Sequence, residues 1–155
     1  MNFIESIRSC FLDFAVFKGR SRRSEFWWFQ LFCILGAIIT HFLDIIIFDV
    51  SDEAVLTPIA TTFDFAMLIP ATAVTARRLH DVGKSGWLQL PNFLFYLLYL
   101  EGTVSESIMN WLYVPMGFAG VYFLWLLYQL IKDSDPGMNH YGHNPKEPNM
   151  GTVFD

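Results

Sequence analysis

Residues 18–48, KGRSRRSEFWWFQLFCILGAIITHFLDIIIF, set Lys18, Arg20, Arg22 and Arg23 directly against a long apolar run. From Phe26 to Phe48 only Gln30, His41 and Asp44 interrupt it. A bilayer core about 30 Å thick needs roughly 20 mostly apolar residues at about 1.5 Å per helical residue. The stretch therefore predicts a transmembrane helix, with its cations held at the surface the chain starts from.

Working outward, the chain offers further apolar runs at Ala54–Ala76, broken by Asp64, at Trp87–Leu100, and at Trp111–Ile131, which carries no charge. The Trp87 run is only about 21 Å long as a helix, so it is extended through Val104 to approach a full span. The expected fold is all-α: a polytopic membrane domain over 1–131 with four transmembrane helices at 26–48, 54–76, 87–104 and 111–131, then a tail over 132–155. Composition agrees. Hydrophobic residues make up 54% and charged residues 16% of the chain, against about a quarter charged in soluble domains. Sixteen Phe, six Tyr and five Trp overfill one small soluble core but can face lipid.

The connections carry charge of one sign at a time. Asp49–Glu53 and Glu101–Asn110 hold acids and no base, whereas Arg77–Gly86 holds Arg77, Arg78 and Lys84. With a cytoplasmic N-terminus, all ten Lys and Arg fall on the cytoplasmic side, as the positive-inside rule asks. Both termini are then cytoplasmic. A re-entrant 87–104 segment is the alternative and would put the C-terminus outside. Trp27, Trp28, Trp87 and Trp111 open runs, where interfacial aromatic belts belong.

Ahead of the first run, Phe3, Ile4, Ile7, Phe11, Phe14 and Ala15 share a helical face, which predicts an amphipathic helix over 2–17 in the headgroup region. Ser21-Arg22-Arg23 loosely follows a twin-arginine export signal, but no small-residue cleavage site follows, and topology explains the same bases. Cys10 and Cys33 show no metal or redox spacing and read as reduced packing residues. A net charge of −5 argues against nucleic-acid binding, because no excess positive field is available for phosphates.

Two motifs stand out: Phe17-Lys18-Gly19-Arg20-Ser21-Arg22-Arg23-Ser24-Glu25-Phe26-Trp27-Trp28-Phe29 and Ala76-Arg77-Arg78-Leu79-His80-Asp81-Val82-Gly83-Lys84-Ser85-Gly86-Trp87. They resemble the N-terminal and central signatures of the DUF805 family of bacterial inner-membrane proteins. Asn139-His140-Tyr141-Gly142-His143-Asn144-Pro145 resembles a weaker tail motif, with His140 where the family usually has a base. The resemblance implies a small multi-span protein of the bacterial inner membrane. It implies no activity and no catalytic residue, because the family is one of unknown function.

The candidate sites follow from charge. Arg20, Arg22, Arg23, Glu25, Arg77, Arg78, His80, Asp81, Lys84 and Ser85 converge on the cytoplasmic mouth as a ligand site or a structural clamp. As a ligand site the arginines would take lipid phosphates, each base adding about 1 kcal/mol near an anionic leaflet. As a clamp, Asp81 would bond the turn or pair with Arg77 or Arg78, and Glu25 with an arginine of either motif. Asp81-Val82-Gly83 and Ser85-Gly86 read as a tight turn with glycine at positive φ. Gly83-Lys84-Ser85 is no P-loop, since Arg78 stands where the upstream glycine belongs.

Within the membrane, Asp64, His41 and Asp44 form either a hydrogen-bonded staple or an ion relay. The small residues of 60–76 place that helix at the centre of the bundle, and Pro70 should bend it and free a carbonyl near Ala66. The tail should be irregular, ordered only around Tyr141-Gly142. Asp133, Asp135, His140 and His143 fit no standard metal loop, and no cofactor fingerprint or nucleophile–base pair appears.

Three functions remain. A non-enzymatic scaffold or accessory module, working as a homo-oligomer or with a membrane partner, comes first. A small oligomeric transporter or channel using Asp64 and His41 comes second. A lipid-phosphate binding or lipid-modifying protein, with anionic headgroups as partners and His80 as its general base, comes third.

Overall fold

The computed structural model describes residues 1–48, 57–91, 93–94 and 106–147, with side chains from 119 onward in the last segment. The acidic turn 49–53, most of the 87–104 span and the tail beyond 147 lie outside the described residues. Within them the fold is all-helical: α1 (Phe3–Leu12), α2 (Arg23–Phe48), α3 (Pro58–Asp81), a 3₁₀ turn (Gly86–Gln89) and α4 (Glu106–Ile131). No strand is present among these residues; one isolated bridge joins Asn139 and Gly142.

α1 starts on a capping box. The Asn2 side chain accepts from the Glu5 amide at 2.9 Å while the Glu5 carboxylate accepts from the Asn2 amide at 3.0 Å. The helix stops at Leu12, short of the predicted residue 17, and the Asp13 carboxylate turns to Arg77. It presses Ser6 and Cys10 inward, while Ile4, Leu12 and Phe14 stay exposed. Edge-to-face aromatic pairs, Phe3 with Trp28 and Phe11 with Phe29 and Phe32, hold it against the start of α2.

α2 is long and apolar enough to cross a membrane, and so is α3. In the most apolar window of α2 only 6% of residues are buried, so its apolar surface points away from the rest of the chain. Where α2 does meet α3, Gly36 makes the approach possible. A Cβ there would come within 2.1 Å of the Phe63 ring.

α3 is the central element, touching α1, α2, the 3₁₀ turn and α4. Pro58 opens it, and the Thr57 side chain makes no capping bond. The cap comes from α2 instead: fully buried Asp44 accepts from the Ile59 amide at 3.0 Å and the Ala60 amide at 2.7 Å. A carboxylate is well placed at a helix N-terminus, where amides are unpaired and the dipole is positive. The helix runs through Pro70 without a break. Beyond Asp81 it closes in a Schellman motif, with Lys84 N–H donating to Leu79 O, Gly83 N–H donating to His80 O, and Gly83 at φ +67°.

The chain then folds back along α3. Here Gly86 does not supply positive φ, as the sequence suggested; it supplies room. A Cβ on Gly86 would lie 2.8 Å from the Ala76 Cβ and 3.1 Å from its Cα. The Gln89 side chain donates to Thr72 O at 3.1 Å, and the Tyr122 hydroxyl of α4 donates to Leu88 O at 2.6 Å. The described core gathers Cys10, Phe26, Phe29, Val74, Leu79, Leu126 and Leu130 where the four helices meet.

Replacing Asp44 with Ala should cost about 1–2 kcal/mol, because it strips two α3 amides of their acceptor. The unfolding midpoint in detergent should drop, and Asp44→Asn, which keeps one acceptor oxygen, should fall in between.

Candidate functional site

The two arginine motifs meet at the end of α3. Asp81, fully buried, places one carboxylate oxygen 2.9 Å from Arg20 Nε and the other against Arg78 Nη1. Arg20 reaches this point because Gly19, at φ +90°, turns the chain before it and the Ser21 amide donates to Arg77 O.

Arg20 spends its whole fork on the chain itself. Beyond Nε, its Nη1 donates to Gly137 O at 2.8 Å and Gly142 O at 3.2 Å, and its Nη2 to Asp135 O at 2.6 Å and Asp81 O at 3.3 Å. A guanidinium has five N–H groups, and each of these has an acceptor. Arg78, also fully buried, serves the end of α4: Nε donates to Leu130 O at 3.0 Å and Nη2 to Lys132 O. Arg23 Nη1 adds a contact to Ile131 O at 3.4 Å. Terminal helix carbonyls lack intrahelical partners and favour cations, so these arginines cap α4 from outside it.

The tail docks on the same node. Its described residues, 132–147, form no helix or strand, and their order is not confined to Tyr141-Gly142. The Asp135 amide donates to Asp81 O, the Asn139 side chain donates to His80 O at 2.9 Å, and Arg22 donates to Pro145 O. His80 and Tyr141 stack with ring centroids 3.8 Å apart and planes within 3°. Asp133 pairs with Arg23 and Lys146, and Asp135 with Lys132, so the tail acids suggested by a metal pattern are engaged in ion pairs.

A second cluster sits beside the node. Arg77 bonds Asp13 at 3.0 Å and lies 3.6 Å from Glu25, whose carboxylate also accepts from Ser9 at 3.1 Å. Burial, followed by the Glu25 charge, pushes the Cys10 thiol up to about 12, so it stays protonated and unreactive. Ser85 caps the 3₁₀ turn and Lys84 is exposed.

Of the three polar residues of the apolar helices, Asp44 is engaged with the start of α3, while His41 neighbours Asp64. Both Asp44 oxygens are taken by α3 amides. Asp64 lines a groove among α2, α3 and α4 with Gln30, Cys33 and Leu126. The arginines, Glu25, His80 and Asp81 do come together. Sequence reasoning missed Asp13, the α4 carbonyls and the tail carbonyls as their partners. The tail motif at 139–145 was the available signal.

Chemically, the node has no free N–H on Arg20 and an acceptor at every nitrogen of Arg78. It holds helix ends and tail together. Among the described residues no group of three His, Cys, Asp or Glu side chains is arranged to hold a metal ion.

Fold and node define an all-helical protein in which, among the described residues, two helices are long and apolar enough to cross a membrane, locked at one end by buried arginines. The sequence profile described as "Protein of unknown function (DUF805)" matches residues 14–143, and the chain belongs to that family. Its relatives include Inner membrane protein YhaH of Escherichia coli (strain K12), 27% identical over 136 residues, covering 86% of this chain and 90% of that one. Inner membrane protein YhaI of the same strain is 30% identical over 135 residues, covering 86% and 89%. No solved structure matches the chain.

Asp81→Asn should cost about 3–5 kcal/mol, since it leaves two buried guanidinium groups without their shared counter-charge. The tail should then be cut by a protease dose that spares the parent protein. Acid should loosen the tail too. Burial holds the His80 imidazole below its ordinary 6.5, so the neutral ring is the folded form. Its contribution is complete above 6.5 and is lost as pH falls through the lower folded value. Tail proteolysis should therefore accelerate as pH falls below 6.5, and less so in His80→Phe.

Proposed function

We propose that this chain is a four-span protein of the bacterial inner membrane, with both termini and all ten Lys and Arg cytoplasmic, and that it acts as a non-enzymatic scaffold or accessory module. The exposed apolar surface of α2 supports the membrane reading: Ile34, Ile38, Ile39, Phe42, Ile45 and Ile46 all face outward. In water such a surface calls for cover; in hydrocarbon it needs none. The inner-membrane relatives support the location.

The observation that carries the scaffold reading is the direction of the arginines. Arg20, Arg22, Arg23 and Arg78 turn inward to carbonyls of the tail and of α4. That use disfavours a lipid-phosphate site built on them, and it leaves anionic headgroups to exposed bases such as Arg8 and Lys84. A rigid node at one face and bare apolar helices suit association with a second copy or another membrane protein.

One observation favours a transporter or channel as the second reading. Asp64 lines an open groove between the apolar helices, without a hydrogen bond among the described residues. Four helices leave little room for a pathway, so this reading requires an oligomer.

Single cysteines test the topology in a background lacking Cys10 and Cys33. Lys84→Cys should react with a membrane-impermeant maleimide only after the cells are opened, whereas Thr103→Cys should react in intact cells. Labelling of Lys84→Cys from outside would overturn the topology. Crosslinking in native membranes should trap a reproducible partner or a homo-oligomer. Proton or cation flux in liposomes, lost in Asp64→Asn, would replace the scaffold reading with the transporter.

A further inference from the structure

Beside the node, and sharing His80 with it, lies a cavity of about 450 Å³. It is bounded by α3, by the returning 3₁₀ turn and by the segment after α1. Phe17, Trp87 and Phe93 supply aromatic walls, and Thr72, His80 and Gln89 supply the polar atoms. Among the described residues no charged side chain lines it.

The hydrogen-bonding character of this cavity can be read atom by atom. His80 Nδ1 is 3.1 Å from Gly19 O. A carbonyl oxygen only accepts, so Nδ1 carries the proton and Nε2 of the neutral ring keeps its lone pair. Nε2 sits at the Gly86 edge of the cavity, 3.3 Å from where a Cβ on Gly86 would stand, and no hydrogen bond reaches it among the described residues. Gln89 points its amide N–H at Thr72 O, which leaves its own carbonyl as an acceptor. The Thr72 hydroxyl is turned back to Leu68 O and Ile69 O. Among the described residues the cavity thus presents acceptors within aromatic walls, the indole N–H of Trp87 and the second amide N–H of Gln89 as its donors, and no cation. Such a lining disfavours a phosphate or carboxylate, which would lose its hydration and find no counter-charge. It suits an uncharged apolar molecule with a hydroxyl to donate.

We propose that this cavity binds an uncharged, hydroxyl-bearing membrane lipid, its apolar body against Phe17, Trp87 and Phe93 and its hydroxyl donating to His80 Nε2. Gly86 packs closely against Ala76 at this edge of the cavity, and any larger residue there would crowd both Ala76 and Nε2. Two sources share this chemistry: the free hydroxyl of a diacylglycerol and the phenolic hydroxyl of a quinol. The inference rests on the membrane reading of the chain but not on its role as a scaffold.

The test uses the full chain in phosphatidylcholine nanodiscs, with saturable shifts in unfolding temperature as the readout. The probes are dioctanoylglycerol, a decyl-substituted hydroquinone kept reduced, the O-methyl ethers of both, and dioctanoyl phosphatidic acid. At least one hydroxylated probe should bind, and its ether should bind roughly three- to tenfold more weakly, the loss of one hydrogen bond. Whichever hydroxylated probe binds more tightly identifies the source. Thr72→Phe, which fills the cavity, should abolish binding. His80→Phe keeps the stack on Tyr141 but should erase the preference of hydroxyl over ether. If His80→Phe fails to fold, the alcohol–ether comparison in the parent protein still decides. Equal binding of alcohol and ether, tighter binding of phosphatidic acid, or unaltered binding in a folded Thr72→Phe would overturn the proposal. None of these outcomes alters the labelling pattern that tests topology.

Discussion

The structure depends on one buried carboxylate. Asp81 lies where α3 ends, out of contact with solvent, and holds Arg20 with one oxygen and Arg78 with the other. Two guanidinium groups brought out of water would each incur a large desolvation cost without such a partner. Once placed, each distributes its remaining N–H groups over carbonyls that have no partner of their own: those at the end of α4 and those of the tail. A single acid thereby ties the segment before α2, the end of α3, the end of α4 and residues 135–142 into one cluster.

The other end of α3 uses the same chemistry with the sign reversed. Its first amides are donors without acceptors, and Asp44 from α2 supplies the missing oxygens. Helix ends are where an apolar bundle has unsatisfied backbone, and within hydrocarbon each such group is costly. Between the ends, packing is set by absence of bulk. Gly36 admits Phe63 and Gly86 admits Ala76, so α3 is closely approached on two sides by backbone that could not otherwise come near.

Much of this organisation was legible beforehand. Apolar length alone marks 26–48 and 54–76 as helices able to cross a membrane, and the arginine motifs announce a shared site at the end of α3. The small residues of 60–76 point to the central position that α3 occupies. What the sequence does not mark is a partner that is backbone. Asp44 and Asp64 both stand as acids in apolar runs, and the oxygens of Asp44 lie on α3 amides. The tail has no apolar period to announce an ordered segment, and its carbonyls are what Arg20 binds.

By itself, then, the sequence determined the two long apolar helices and the clustering of cations, because those depend on composition along a line and on the cost of moving charge through hydrocarbon. Only the tertiary structure decided what each cation holds, since a carbonyl acceptor is present at every residue and carries no mark in the sequence. It also decided that His80 turns one nitrogen to Gly19 and leaves the other facing a cavity. That assignment follows from the return of the chain past Gly86, a distance in space that no spacing along the chain expresses.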